Sequence, residues 1–512
     1  MKTLKIKLIF SASLLFLALI FGCKKGLDPE YFSQLTTENF PITAKDYQSL
    51  VFSAYGPLES KWDYSNGNTW GGYTFHCMEQ YGTVFYNDVS SDLVAVYNNG
   101  WGGDWLNGSN GNFTYLINNP SPNSHFSKVR FVSRITQIID LINKAPSGLV
   151  NDSAKNSMLA EARMSRGWIM WYLLYYFGPV PVIMDAAKLG TVAEWDLTKP
   201  TRNQFITWIE EDLKFAAANL PQSWPASYYG RFTKGLANTV LMRLYMNEHR
   251  WQDAINAGTA IAALNYSLVA DYSGLFTPST QRNSETIFAI PASDKSQGGS
   301  SDYNFNPVQY YIYPDWYQTD LFPSGGWSPN QAYYEAKWGF VDSFDPNDKR
   351  KMFVTNYTDK YNRHWDRTNM NGALVAKFKI EASTNTTFKG NDVILARYAD
   401  VLLMMAEALN EANAGPTAEA INDINTVRTR AGLGNLSSAD IANQDAFRNV
   451  ILRERGWELY FEGFRRYDLI RMGKWQQTLI NAGKALGPSP LLPIPQYAID
   501  SGKGTLSQND GY

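Results

Sequence analysis

Stretches of helical periodicity alternate along this chain with long stretches that have none. That alternation restricts the fold to a helical scaffold carrying irregular inserts. Apolar residues recur at helical spacing over Ala44–Ser60, Ser127–Ala145, Ser153–Phe177, Thr201–Leu220, Thr233–Glu248 and Trp251–Leu264, then over Val393–Asn413, Thr417–Gly432 and Asp445–Arg466. Thr43 is placed to cap the first, and Pro146-Ser147-Gly148 splits the second from the third. Leu241–Tyr245 followed by Trp251–Ala254, and Leu403–Ala408 followed by Ala418–Ile421, read as tetratricopeptide-type helix pairs. Their spacing is irregular, which argues against a strict repeat array.

The inserts are Lys61–Ser124 and Tyr266–Asp392. Both are rich in Gly, Asn, Ser, Pro, Trp and Tyr, with short strand-like runs at Glu285–Ile290 and Leu374–Phe378. Long loops in a compact chain are usually functional or disordered, and dense aromatics argue against disorder. The chain holds 16 Trp, 31 Tyr and 27 Phe against only four His, so its surplus chemistry is ring stacking rather than imidazole catalysis. Two clusters stand out. One carries Tyr97, Trp101, Asp104, Trp105, Asn107, Asn110, Phe113 and Tyr115. The other runs from Tyr303 to Trp327 with Tyr310, Tyr311, Tyr313, Trp316, Tyr317, Phe322 and Trp327. Rings offer stacking faces to pyranose C–H surfaces, and Asn and Asp offer donors and acceptors for hydroxyls. The competing reading is that these rings plug the loops as a satellite core.

Residues 1–22 read as a secretory leader. Lys2, Lys5 and Lys7 precede an apolar run, Leu8–Phe21, that is short for a bilayer span. It ends in Ile20-Phe21-Gly22-Cys23, similar to a bacterial lipobox whose cysteine is acylated; Phe21 departs from the usual small or aliphatic residue. Removing the leader takes three lysines and no acids, moving the formal charge from −2 to −5, which attracts neither nucleic acid nor an anionic membrane. Of the two cysteines, Cys23 would be acylated and Cys77 left unpaired, so stability must come from a packed core.

No HExxH, GxSxG or Cys/His metal-ligand spacing occurs, and Gly102-Gly103 and Gly325-Gly326 lack a phosphate-loop context. His76-Cys77 are merely adjacent. Glu454 and Glu458 lie one helical turn apart, a separation a glycosidase could use, but nearby arginines would hold both ionised where a general acid needs a raised pKa. Asp104 with Asp315 or Asp320 is the other conceivable pair, without a supporting motif. Glu454, Glu458 and Glu462 fall on one helical stripe near Arg455, Arg465, Arg466 and Arg471, predicting a hydrogen-bonded ion network that ties the last helix to its neighbours.

Several segments together resemble the SusD/RagB family. Arg397-Tyr398-Ala399-Asp400 through Glu407-Ala408 looks like its "RYADVLLMYAEA" helix, and Ile424–Leu433 its "INxVRxRAGL" element. Ile451–Arg471 is similar to "IxxERxxELxxEGxRxxDLIR", and Leu492-Pro493-Ile494-Pro495 and Gln508–Tyr512 follow, with Asp510 where the family usually has proline. Ala160–Arg166, Phe177–Pro181 and Gly230–Gly235 resemble its N-terminal elements. The resemblance implies a mostly α, SusD-like single domain, with tetratricopeptide-like helix pairs as scaffold and a loop-rich aromatic half with a few short strands. Its regions would be a leader over 1–22, an N-terminal region over 23–230 and a C-terminal region over 231–512. It implies a non-enzymatic lipoprotein at the outer membrane that captures oligosaccharide and delivers it to a SusC-like TonB-dependent transporter. A RagB-like peptide-binding role is the alternative, and a glycosidase the third reading. The family commonly takes stacking rings from the region after an Asp-containing helix, here Asp88 or Asp92. No cofactor is implied, and Ca²⁺ is left open.

Overall fold

Helix follows periodicity along most of the chain. The computed structural model describes residues 40–58, 75–76, 82–96, 103–118, 125–292, 306, 308–314, 332–379, 390–484 and 486–512; the side chains of 103–105 and 309–310 lie outside that description. The helices of the N-terminal half are α1 (Ala44–Ser53), a short α2 (Gly103–Ser109), α3 (Val129–Asn143), the 26-residue α4 (Asp152–Phe177), α5 (Arg202–Asn219), α6 (Lys234–Asn247) and α7 (Trp251–Ala262). Two short helices follow, α8 (Val308–Ile312) and α9 (Trp338–Asp342). The C-terminal helices are α10 (Tyr398–Ala412), α11 (Ala418–Arg430), α12 (Gln444–Leu459), α13 (Arg465–Arg471), α14 (Trp475–Asn481) and α15 (Gln496–Ser501). Strands are short: β1 (Val94–Val96), β2 (Thr286–Ile290), β3 (Tyr334–Lys337), β4 (Phe353–Val354), β5 (Tyr357–Thr358), β6 (His364–Trp365), β7 (Gly372–Val375) and β8 (Val393–Arg397). Among the described residues no helix is long and apolar enough to cross a membrane.

The chain divides into two compact units, residues 1–49 and 50–512. In the first, Thr43 Oγ1 accepts the Asp46 amide while the Asp46 carboxylate accepts the amides of Ile42 and Thr43, the expected cap of α1. In the second, Asn151, Thr201, Thr233, Thr417 and Asn443 cap α4, α5, α6, α11 and α12 in the same manner, each contributing about 1 kcal/mol.

These helices form a row. The buried helix α4 packs against α3 and α5, α6 against α5 and α7, and α10 against α7, α11 and α12, so antiparallel pairs of the tetratricopeptide kind continue across the second insert. Close approach of α4 and α5 needs Gly167: a Cβ there would stand 3.1 Å from Leu213 Cγ. Beside it Arg166 donates twice to Asp212, at 2.7 and 2.8 Å, locking the pair.

Two helical expectations are corrected. Val393–Arg397 is strand, not the start of a helix, because its apolar residues pair antiparallel with β2 and helix begins only at Tyr398. The helix expected over Asp445–Arg466 stops at Leu459 and resumes at Arg465, since Phe461 (φ 59°) and Gly463 (φ 85°) turn the chain through left-handed backbone.

The predicted ion network exists, but the glutamate stripe takes most of its partners from other segments. Glu285, Asp348, Glu454, Glu458 and Glu462 meet Arg350, Lys377, Arg397, Arg428 and Arg430, five carboxylates against five cations. Glu458 is fully buried and accepts from Arg397 and Arg430, each at 2.5 Å, and from Arg350 at 3.3 Å. Of the arginines named from sequence, Arg455 instead bridges Asp400 and Asp468, Arg471 bridges Asp468 and Glu407, Arg465 engages Asp92, and Arg466 donates to the Pro490 carbonyl. Arg243 joins the same chain through Asp400, so α6, α10, α12 and α13 share one string of buried charge pairs.

Candidate functional site

A four-stranded antiparallel sheet, ordered β1-β3-β7-β4, roots both aromatic inserts. Its register pairs Val96 with Tyr334 and Val94 with Ala336. The last residue of β1 leads into the first cluster at Tyr97, and Tyr334 follows the second cluster. Antiparallel pairing therefore sets the start of one insert beside the end of the other. Within the inserts α2 packs on β1, and α8 packs on β3.

Part of each cluster is core. Tyr311, a predicted ligand contact, is only 3% exposed and stacks on Tyr334 with ring centroids 5.4 Å apart, so here it braces the sheet instead of presenting a free face. Tyr313 is buried and donates its hydroxyl to the Val375 carbonyl at 2.7 Å. Phe113 is buried against Tyr86. Asn107 is exposed and Asn110 half-buried at the end of α2. Asp104 and Trp105 lie on α2 and Tyr310 on α8, with side chains outside the description. Tyr97, Trp101, Asp315, Trp316, Asp320, Trp327 and the lipidation candidate Cys23 fall outside the described residues.

Buried carboxylates hold this platform. Asp88 accepts the amides of Gly463 (2.9 Å) and Arg465 (3.0 Å), and burial pushes its carboxyl up to about 7. Asp92 takes both Nε and Nη2 of Arg465, at 2.8 and 2.7 Å. The left-handed turn between α12 and α13 is thereby pinned to the segment that enters β1. Glu335, on β3, accepts the Gly372 amide at 2.8 Å, and burial pushes it up to about 8.

None of the carboxylates proposed from sequence for glycosidic chemistry stands in an open cleft within the described residues. Glu454 and Glu458 are fully buried. Burial alone would raise Glu458, but Arg430, Arg397 and Arg350 overcome it and hold the carboxyl well below the ordinary range. His76 is buried, its ring nitrogens at 2.9 Å from the Leu58 carbonyl and 2.7 Å from the Tyr172 hydroxyl, and burial lowers it to about 4. Cys77 is outside the described residues. Among the described residues no group of three or more His, Cys, Asp or Glu could hold a metal ion.

The motifs that resemble a known family are the ones that carry this charge lattice. Family models agree: one described as SusD family matches residues 333–512, and one described as starch-binding associating with outer membrane matches residues 71–246. The chain belongs to the SusD/RagB family. A SusD-like protein of Formosa agariphila is 27% identical over 372 residues, covering 65% of this chain and 67% of the relative. A solved laminarin-binding SusD-like protein superposes with TM-score 0.72 at 22% identity, covering 92% of this chain and all of the other. Surface glycan-binding protein A from Bacteroides thetaiotaomicron, solved with laminarihexaose, gives TM-score 0.74 at 21% identity with the same coverage. Within this SusD fold the signature charges Arg397, Asp400, Glu407, Arg428, Arg430 and Glu458 are all buried or partly buried ion-pair members. Their partners Glu285 and Arg350, and Lys377, which pairs with Glu462, lie in no sequence motif and meet the lattice only through the fold.

Proposed function

We propose that this SusD-family member is a cell-surface glycan-binding protein. It captures oligosaccharide on the two aromatic inserts and passes it to a SusC-like TonB-dependent transporter without breaking a bond. The observation that supports this reading most is the shared root of the inserts, Val96 beside Tyr334, which lets rings from segments about 200 residues apart serve one ligand. Likeness to laminarin-binding members of the same fold points to the same ligand class. Anchoring through acylated Cys23 would hold the binding face at the outer leaflet, since each buried methylene adds about 0.8 kcal/mol.

Sugar stacking by a ring contributes about 0.5–1.5 kcal/mol beyond area burial. A variant combining Trp101→Ala, Trp105→Ala and Trp327→Ala should therefore lose about 1.5–4.5 kcal/mol, or at least about tenfold in Kd. Calorimetric titration with the best ligand from a polysaccharide panel, alongside a thermal melt, reads both quantities. Undiminished binding removes these rings from the site; lost binding with a collapsed melting temperature makes them core.

A further inference from the structure

A large groove is lined by residues outside both aromatic clusters. About 680 Å³ in volume, it runs between the end of β3 with α9, the outer face of α12 and the last turn of α14. That volume is within the usual range for a ligand site of several hundred Å³. Its apolar wall is Trp338, Phe340 and Trp457. Both indoles are fixed: Trp457 Nε1 donates to Ser343 Oγ at 2.9 Å, and Trp338 Nε1 to the Met370 carbonyl at 3.2 Å. Three amides line the groove from separate elements, Asn371 before β7, Asn449 on α12 and Asn481 on α14, whose Oδ1 accepts from Gln477 Nε2 at 2.8 Å.

The lining of the groove is net positive. The chain carries a formal −2, yet the groove is lined by Lys337, Arg453 and Arg465 against the single carboxylate Asp92. Arg465 is committed to Asp92. Arg453 is not committed in that way: its side chain is 42% exposed, its guanidinium stands 5.1 Å over the Trp457 ring, and its acid partner Asp440 is 3.4 Å away. A guanidinium braced on an indole is suited to an oxyanion, and Lys337, whose ammonium donates to the Ala482 carbonyl at 2.5 Å, adds a second positive charge to the lining.

The groove opens at the far end of β3 from the root of the inserts. Lys337 donates its amide to Leu93, three residues along β3 from the Tyr334–Val96 pair where the inserts emerge. That is a step of about 10 Å, which one oligosaccharide chain can span.

Resting on the glycan-binding reading, we infer that this groove is a second glycan subsite, selective for a sugar unit bearing a carboxylate or a sulfate ester. Trp338 and Phe340 face the ring, the asparagines its hydroxyls, and Arg453 with Lys337 the anion.

The test uses the mature chain, with polygalacturonate as the carboxylate probe, dextran sulfate as the sulfate probe and laminarin as the neutral one. Wild type is compared with Arg453→Glu, with Asn481→Asp, and with Arg134→Glu as the same charge change on the exposed surface of α3. Expected is a loss of about fivefold or more on one or both charged polymers in the two groove variants only, vanishing between about 0.05 and about 0.5 M salt. Laminarin binding should match wild type throughout. The two charged probes separate carboxylate from sulfate selectivity. Thermal melts identify a misfolded variant, and Asn481→Asp, at an exposed helix end, carries the test if Arg453→Glu fails to fold. Laminarin binding without any groove-dependent binding of a charged polymer overturns this inference alone. Equal loss in Arg134→Glu overturns it as well, and failure to bind any glycan overturns the function with it.

Discussion

Replacing Glu458 by glutamine keeps the side chain's shape and removes one charge from the centre of the buried lattice. Wild type balances five carboxylates with five cations there, and the variant leaves four against five. Two guanidiniums at 2.5 Å each lose one charged acceptor, Arg397 keeping Glu285 and Glu462 and Arg430 keeping Glu285, and neither can reach water because both are buried. Breaking a buried pair by removing one partner costs about 3–5 kcal/mol, far more than an exposed pair. An unfolding entropy of about 2.1 cal/mol/K per residue over a unit of about 460 residues gives about 1 kcal/mol/K, so the melting temperature should fall by about 3–5 °C. The pH dependence has a definite sign. Arginine contacts hold the folded carboxyl below its unfolded value, so its contribution is present above about pH 4.5 and fades as pH falls; the gap between wild type and Glu458→Gln should narrow in acid. Scanning calorimetry at neutral and acidic pH reads this, and titration with the identified glycan should give affinities within about threefold. An unchanged melting temperature would refute the stabilising role of the lattice. A normally stable variant that no longer binds would show that a ligand site has been mistaken for scaffold.

Glu335→Gln tests the opposite electrostatic case. The folded carboxyl, pushed up to about 8 by burial, favours the folded state fully below about pH 4.5, and that contribution is lost as pH rises through about 8; wild type should lose melting temperature between pH 6 and pH 9 while the variant does not, and parallel curves would exclude a protonated Glu335. For the anchor, Cys23→Ser should abolish labelling by a radiolabelled fatty acid and release the protein from the membrane fraction, and unchanged membrane retention would dismiss lipidation at this residue.

Helix was legible in this sequence because its determinants are local. The 3.6-residue period and the capping residues Asn151, Thr201 and Thr417 lie within a turn of the elements they define. The errors came where the determinant is distant. Val393-Ile394-Leu395-Ala396 joins smoothly in composition to the helix after it, and only pairing with Thr286–Ile290 makes it strand. The break at Tyr460–Phe464 carries one local sign, Gly463; the left-handed Phe461 carries none. Likewise no composition marks the rings of Tyr311 and Tyr313 as braces of β3 and β7, because that role depends on where the sheet stands beside them. Asn449, Arg453 and Asn481 belong to no motif, and only the convergence of α12, α14 and β3 brings them to one groove. One consequence follows for specificity. The signature charges Arg397, Asp400, Glu407, Arg430 and Glu458 are held in buried ion pairs within the scaffold. Residues committed to a lattice inside the scaffold cannot choose among sugars. On the proposed reading, ligand choice resides where the signature is silent, in the inserts that leave the sheet at Val96 and Tyr334 and in the groove that opens at Lys337.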